Sequence, residues 1–123
     1  MAMATLLLPG GCKGSQTCGS ISGATRVVVH DSSARGNDRV LTDGEQIRLL
    51  TSFANARRAC EKPLTTMPAT RLSVTFYDKD EYLGSIGSGL TNSFLVGCQG
   101  LNGTRNATDA ELSEFQRLIV GAP

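Results

Sequence analysis

The sequence contains no tryptophan and a single histidine, and aromatic residues make up only 5% of its 123 positions. Proteins that bind nucleic acid usually combine a basic stripe with exposed aromatic side chains. Here the formal net charge is +1, and the one adjacent basic pair is Arg57-Arg58, which we interpret as a solvated helix end. The composition therefore argues against a nucleic-acid partner.

Signatures of metal binding and catalysis are also scarce. The chain has four cysteines, none in a CxxC pair, and its single histidine cannot complete a Cys2His2 zinc site. That histidine, His30, precedes Asp31, but neighbouring residues of a strand point to opposite faces, so Asp31 is poorly placed to orient the imidazole. We therefore predict no catalytic residue, no metal site and no cofactor, and we expect the protein not to be an enzyme.

Long hydrophobic runs are missing as well, so we predict no transmembrane helix. Residues 1–12 read MAMATLLLPGGC. A short apolar run that leads through small residues to a cysteine resembles the end of a bacterial lipoprotein signal, and Cys12 would then be the lipidation site. The segment departs from a complete signal because no positive charge precedes the run and Pro9 replaces the usual small aliphatic residue.

Residues 13–25 are rich in Gly, Ser and Thr, which is typical of a flexible linker. We therefore divide the chain into a truncated signal-like segment with its linker, residues 1–25, and a single α+β domain, residues 26–123. A lipid anchor would place this domain in the periplasm or on the envelope membrane. The alternative is a cytoplasmic protein.

The periodicity of the domain predicts four strands and two helices. A run of three valines favours a first strand, and strict alternation favours the second. Two Thr-x-x-Glu patterns, Thr42–Glu45 and Thr108–Glu111, have the form of a capping box and precede apolar residues at helical spacing. The predicted strands are Arg26–His30, Arg71–Tyr77, Tyr82–Ile86 and Ser93–Cys98, and the predicted helices run from about Asp43 to Ala59 and onward from Thr108.

The resulting order is β-α-β-β-β-α, with loops expected over residues 31–38, 64–70 and 99–107. We predict a two-layer α+β fold with a mainly antiparallel sheet and both helices on one face, because this arrangement covers every apolar stripe. The place of the first strand in the sheet stays open. The predicted core comprises Val28, Ile47, Leu50, Phe53, Leu72, Val74, Phe76, Phe94, Val96, Leu112, Phe115 and Leu118.

Polar residues that alternate with this core identify a candidate binding face. Ser73, Thr75 and Tyr77 lie on the side of their strand that the helices leave open. A disulfide between Cys60 and Cys98 is a second candidate feature, since both lie at ends of predicted elements and export would favour oxidation. Two buried free thiols are the alternative.

Two strings in the domain, TFYDKD at residues 75–80 and ELSEFQRLI at residues 111–119, resemble small uncharacterised bacterial lipoproteins. Those proteins share a helix, a hairpin that ends in an aromatic-Asp-Lys-Asp turn, a further strand and a closing helix. The resemblance covers about two thirds of the chain. It implies the same order of elements and no activity.

We therefore expect an envelope-associated binding or structural domain whose partner is a protein or an envelope component. One form of this hypothesis is a periplasmic enzyme inhibitor. A cytoplasmic ligand-binding module that forms homodimers through its open sheet face is the second hypothesis. An enzyme that uses His30 or Cys98 is the third.

Overall fold

The computed structural model describes residues 19–32, 38–58, 62–63, 70–89, 92–98 and 101–120. These residues form two helices and seven strands in one sheet. The elements are β1 (Arg26–Asp31), β2 (Arg39–Leu41), α1 (Gly44–Asn55), β3 (Lys62–Pro63), β4 (Leu72–Asp78), β5 (Glu81–Ser88), β6 (Ser93–Cys98), β7 (Leu101–Asn106) and α2 (Asp109–Val120).

The sheet has the strand order β2-β1-β4-β5-β6-β7-β3, and every neighbouring pair is antiparallel. Both helices cover the same face, because Phe53 of α1 and Phe115 of α2 each contact Phe94 of β6, with ring centroids 5.7 and 5.6 Å apart. The two helical rings also stack on each other at 5.5 Å. The predicted fold class is confirmed, and the first strand lies beside β4.

The face that β1 buries differs from the prediction. Val27 and Val29 are 0% and 2% exposed and belong to the core, whereas Val28 is half-buried on the opposite face. Three consecutive valines carry no alternation, so periodicity alone cannot decide which of them point inward. The decision is made by the pairing with β4, which places Val27 opposite Phe76 and Val29 opposite Val74.

Three strands were not predicted, and the loop expected over residues 99–107 was wrong. Six residues of that segment form β7, which pairs with the whole of β6 from Ser93↔Asn106 to Cys98↔Leu101. Its sequence, LNGTRN, has the Asn and Gly content of a loop, and these side chains favour strands poorly. The strand is stabilised by its backbone pairing with β6. The short strands β2 and β3 lie at the two edges of the sheet.

The two helix starts differ in their capping. At α2 the predicted capping box is present, since the amide of Glu111 donates to Thr108 Oγ1 at 3.1 Å and the Glu111 carboxylate accepts from the Thr108 amide at 3.0 Å. At α1 the cap is Asp43 and not Thr42, because the Asp43 carboxylate accepts from the amide of Gln46 at 2.8 Å. The helix ends at Asn55, four residues earlier than predicted.

The domain includes residues that precede the predicted boundary at residue 25. Ile21 is 3% exposed and packs in the core, and Ala24 packs against it. The amide of Thr25 donates to the Tyr77 carbonyl at 2.8 Å. The segment Gly19–Thr25, which we call the N-terminal strap, is therefore part of the domain and not a linker.

Most of the predicted core is confirmed by burial, with Leu72 and Leu112 at its partly exposed margin. Within the described part of the chain, neither helix has the length and apolar character that crossing a bilayer requires.

Candidate binding surface

The sheet face opposite the helices, which we call the helix-free face, is formed by alternate residues of the central strands. Along β1, alternation directs Arg26, Val28 and His30 away from the core. The β1–β4 register places them opposite Tyr77, Thr75 and Ser73, respectively. The three predicted binding residues therefore share one face with three residues that the prediction did not include.

The centre of this face is a shallow floor of small hydroxyl side chains. Ser73, Thr75 and Ser85 are all half-buried, and Thr75 and Ser85 are paired across β4 and β5. Gly87 lies opposite Ser73, and a Cβ at Gly87 would come within 2.9 Å of the Ser73 Cβ. The missing side chain at Gly87 therefore lets Ser73 adopt its position beside β5.

One end of the helix-free face carries a cluster of an arginine and two tyrosines. The Arg26 guanidinium carbon lies 4.4 Å from the centroid of the Tyr77 ring, a cation–π contact. The Tyr77 and Tyr82 rings meet edge to face, with centroids 6.3 Å apart. We call these three residues the Arg–Tyr cluster. All three are half-buried, so each keeps part of its surface available to solvent.

The β4–β5 turn holds Arg26 in place. Arg26 Nη2 donates to the carbonyl of Lys79 at 2.8 Å, and the Lys79 amide donates to Thr25 Oγ1 at 2.9 Å. Lys79 has a φ of 56°, which turns its backbone through the tight hairpin. The Arg26–Asp80 ion pair, at 4.0 Å with a fully exposed Asp80 side chain, adds little. The guanidinium is thus oriented mainly by backbone contacts.

Sequence reasoning found Tyr77 and missed its neighbours in the cluster. The sequence predicts a strand at Tyr82 but no face for it. In the structure Tyr82 lies opposite Tyr77, and a bulge between Phe76 and Tyr77 shifts the register of the pairs beyond them. The signal that could have located Tyr82 is the two-residue hairpin loop at Lys79–Asp80, which pairs residues symmetrically about itself. Arg26 was missed because the orientation of β1 was assigned one residue out of phase.

The histidine has a carboxylate partner that the sequence did not suggest. His30 Nδ1 lies 2.8 Å from Asp38 Oδ1, and the two side chains are 54% and 50% exposed. The adjacent Asp31 is not that partner, as strand alternation predicts. Ser32, the nearest hydroxyl in sequence, donates to the Arg71 carbonyl at 3.3 Å. The ring is oriented by a carboxylate, but no nucleophile is positioned against it among the described contacts.

A cleft of about 350 Å³ opens beside this pair, between the end of β1 and the end of α2. Its walls combine polar side chains such as Arg39 and Gln116 with apolar ones such as Leu72 and Val120. Arg39 Nη2 donates to the Ile119 carbonyl at 3.0 Å and so caps the end of α2. That contact gives Arg39 a structural role in the cleft wall.

The β4–β5 hairpin carries three acidic residues, Asp78, Asp80 and Glu81. Within the described residues, no group of three or more His, Cys, Asp or Glu side chains could hold a metal ion. Asp80 and Glu81 are exposed at the turn next to Arg26.

The cysteine predictions fall largely outside the described residues. Cys12 and Cys60 lie beyond them, and Cys98 is the last residue of β6. The lipidation site and the Cys60–Cys98 disulfide therefore stay predictions.

No protein-family model, curated protein or solved structure matches the chain.

Proposed function

We propose that the protein is a non-enzymatic binding domain that holds a protein partner against its helix-free face. The observation that carries this proposal is the Arg–Tyr cluster, in which Arg26, Tyr77 and Tyr82 are packed against one another and still half-exposed. Tyrosine and arginine are enriched among the residues that dominate the binding energy of protein interfaces.

The geometry of the cluster favours binding because it reduces the side-chain conformational entropy that the cluster would lose on binding. Arg26 is already held by the Lys79 carbonyl and the Tyr77 ring, so little rotamer freedom is left for it to lose. The hydroxyl floor of Ser73 and Thr75 continues the surface with groups that can donate and accept hydrogen bonds. A rigid aromatic anchor next to an adaptable polar surface suits a protein partner.

The non-enzymatic part of the proposal is supported by the surroundings of His30. The His30 ring and the carboxylate of its partner Asp38 are about half exposed, whereas general bases usually lie in sites that exclude water. The hydroxyl of Ser32 is directed to the Arg71 carbonyl. An envelope location through lipid on Cys12 belongs to the same proposal, and it is supported by the LLLPGGC sequence.

The proposal can be tested by site-specific photo-cross-linking of the full chain in the cells that produce it. A photoreactive side chain replaces Val40, which is 56% exposed and lies on the helix-free face opposite Val28. The matched control position is Ser52, which is exposed on α1. We expect a discrete adduct with another protein from position 40 and none from position 52.

The contribution of the cluster is then measured in the position-40 background. Arg26→Ala and Tyr82→Ala should each reduce the adduct at least about fivefold, because loss of an interface anchor costs more than about 1 kcal/mol. Arg48→Ala, on the exposed side of α1, should leave it unchanged. Equal adducts from positions 40 and 52, or adducts that both cluster variants retain, would contradict the proposal. An adduct of two copies of this chain would favour the dimerising module instead.

A further inference from the structure

The N-terminal strap docks onto a corner of the domain formed by the end of α1. The side-chain amide of Asn55 pairs with both backbone groups of Ile21: the Ile21 amide donates to Asn55 Oδ1 at 2.7 Å, and Asn55 Nδ2 donates to the Ile21 carbonyl at 2.9 Å. The Ile21 side chain is 3% exposed. At Ile21 the strap is therefore held both by its backbone and by an apolar side chain.

A buried arginine connects the strap to the sheet. Arg58 is 4% exposed, and its guanidinium donates to the carbonyls of Gly19 at 3.3 Å, Ser85 at 3.3 Å and Gly97 at 3.1 Å. Ser85 and Gly97 are opposite each other in the β5–β6 register. One cation thus bridges the strap and both strands of a pair.

The fit at this corner depends on Gly84. A Cβ at Gly84 would lie 2.8 Å from Arg58 Nη2 and 3.3 Å from Ile21 Cδ1. The guanidinium and the strap side chain therefore occupy adjoining parts of the space that the missing side chain leaves. Removal of Ile21 would expose the guanidinium to water.

Burial lowers the pKa of Arg58, and the nearby Tyr82 phenol acts in the opposite direction. The guanidinium nevertheless stays protonated, because the pKa of arginine lies far above neutral pH. A buried cation needs all of its hydrogen-bond acceptors. Loss of the Gly19 carbonyl therefore favours hydration of Arg58 and weakens its contacts with β5 and β6.

Ser85, whose carbonyl accepts from Arg58, has its side chain on the helix-free face. The Ser85 carbonyl accepts from Arg58, and Ser85 Oγ lies 3.2 Å from the hydroxyl of Tyr82. Tyr82 in turn contacts Tyr77 in the Arg–Tyr cluster. A short series of contacts thus leads from the strap to the proposed binding surface.

We propose that the strap is a latch that controls the Arg–Tyr cluster: docking of Gly19–Ile21 fixes Arg58 and Ser85, and through them the position of Tyr82. Release of the strap hydrates Arg58, loosens the β5–β6 pair and changes the position of Tyr82 relative to Tyr77. The value of such a latch for partner binding rests on the proposed function, but the coupling itself does not. By linkage, a partner that requires the fixed Tyr82 would also tighten the strap.

The chain offers a direct readout, because it has two tyrosines and both belong to the cluster. Labelling the full chain with 3-fluorotyrosine gives one ¹⁹F signal for each, and Tyr77→Phe assigns them. Amide hydrogen exchange at Ile21 reports the docked strap independently. Asn55→Ala removes both hydrogen bonds between Asn55 and the backbone of Ile21, and Ser52→Ala is the control on the same helix.

We expect Asn55→Ala to raise exchange at Ile21 at least about tenfold, to raise exchange at Ser85 and Gly97, and to shift the Tyr82 signal. Ser52→Ala should change none of these. Faster exchange at Ile21 with an unchanged Tyr82 signal would overturn the coupling, and unchanged exchange at Ile21 would overturn the latch.

Ile21→Ala provides a second route if Asn55→Ala does not fold, since it removes the apolar contact and keeps Asn55. The same shift of the Tyr82 signal is expected, and its absence alongside faster strap exchange would again overturn the coupling. No partner is present in these measurements. A failure of the cross-linking experiment would therefore leave the latch standing, and the reverse also holds.

Discussion

Glu111 combines three interactions in one carboxylate at the start of α2. It accepts from the amide of Thr108, forms a 2.9 Å ion pair with Arg57 and lies 3.8 Å from Arg105. The hydrogen bond from Thr108 is the main reason that its pKa lies below the usual value, and both arginines act in the same direction against partial desolvation. The ionised form is therefore the one that the fold stabilises.

We predict that Glu111→Gln lowers the free energy of unfolding at pH 7 by about 1 kcal/mol, through loss of the charged cap and ion pair. A lowered pKa in the folded state gives a contribution that is present above the unfolded pKa, about 4.3, and is lost as the pH falls through the folded pKa. The difference from the wild type should thus shrink on acidification below that pH. Urea unfolding at several pH values measures it.

Glu114→Gln is the matched control, because Glu114 forms an exposed ion pair with Arg117 on the same helix. Its substitution should leave stability nearly unchanged. An equal loss in both variants, or a Glu111→Gln difference that does not change with pH, would contradict the role given to Glu111.

Single residues also show where prediction from sequence ends. Leu72, Val74 and Phe76 alternate with polar residues, so the sequence predicts β4 and the face on which Tyr77 lies correctly. Val27, Val28 and Val29 offer no such contrast, so the sequence could not predict on which face of the sheet Arg26 lies. The orientation of a uniform apolar strand depends on its neighbour, which periodicity within the strand does not record.

Among the elements, α1 is the clearest case in which local pattern and structure disagree. The Thr42–Glu45 pattern predicts a capping box, but Glu45 pairs with Arg48 and Asp43 caps the helix. Thr42 and Asp43 are both good N-cap residue types, so the sequence alone does not decide between them. The choice follows from the path of the chain after β2.

We predict that Asp43→Ala destabilises the domain by about 1 kcal/mol, since the amide of Gln46 loses its acceptor. Thr42→Ala, one residue earlier and exposed, should have a much smaller effect. The measurement is the midpoint of urea unfolding at constant m. A larger loss in Thr42→Ala would show that the helix starts one residue earlier.

The strand β7 marks the limit of prediction at the scale of elements. Its residues include Asn, Gly and Arg, and nothing in the sequence separates them from a loop. Arg105, at the helix-facing side of this strand, points toward Glu111 and contributes to the charged group there. A strand that is stabilised by the backbone of its neighbour can be predicted only once the position of that neighbour is known.

For the whole molecule, the layering could be predicted because each helix carries an apolar stripe and the sheet one apolar face. The assembly of the Arg–Tyr cluster could not, since it joins β1, β4 and β5 through a bulge and a turn. The strap was missed for a similar reason. Its composition is that of a linker, and it is ordered by Asn55 and Arg58, which lie more than thirty residues further along the chain.

The proposed envelope location gives a prediction for the whole chain in a bacterial host. The protein should enter the detergent phase on Triton X-114 partitioning, and Cys12→Ser should move it to the aqueous phase because the lipid is lost. Cys18→Ser should partition like the wild type. Detergent partitioning that survives Cys12→Ser, or wild-type protein in the aqueous phase, would refute the anchor.

The two margins of the sheet have a consequence for behaviour in crowded surroundings. One border strand, β2, has three residues, and the other, β3, has two, of which Pro63 carries no amide hydrogen. Borders this short offer little backbone for copies of the protein to join edge on into fibrils. Copies of the domain at high local concentration are therefore poorly suited to polymerising along the margins of the sheet.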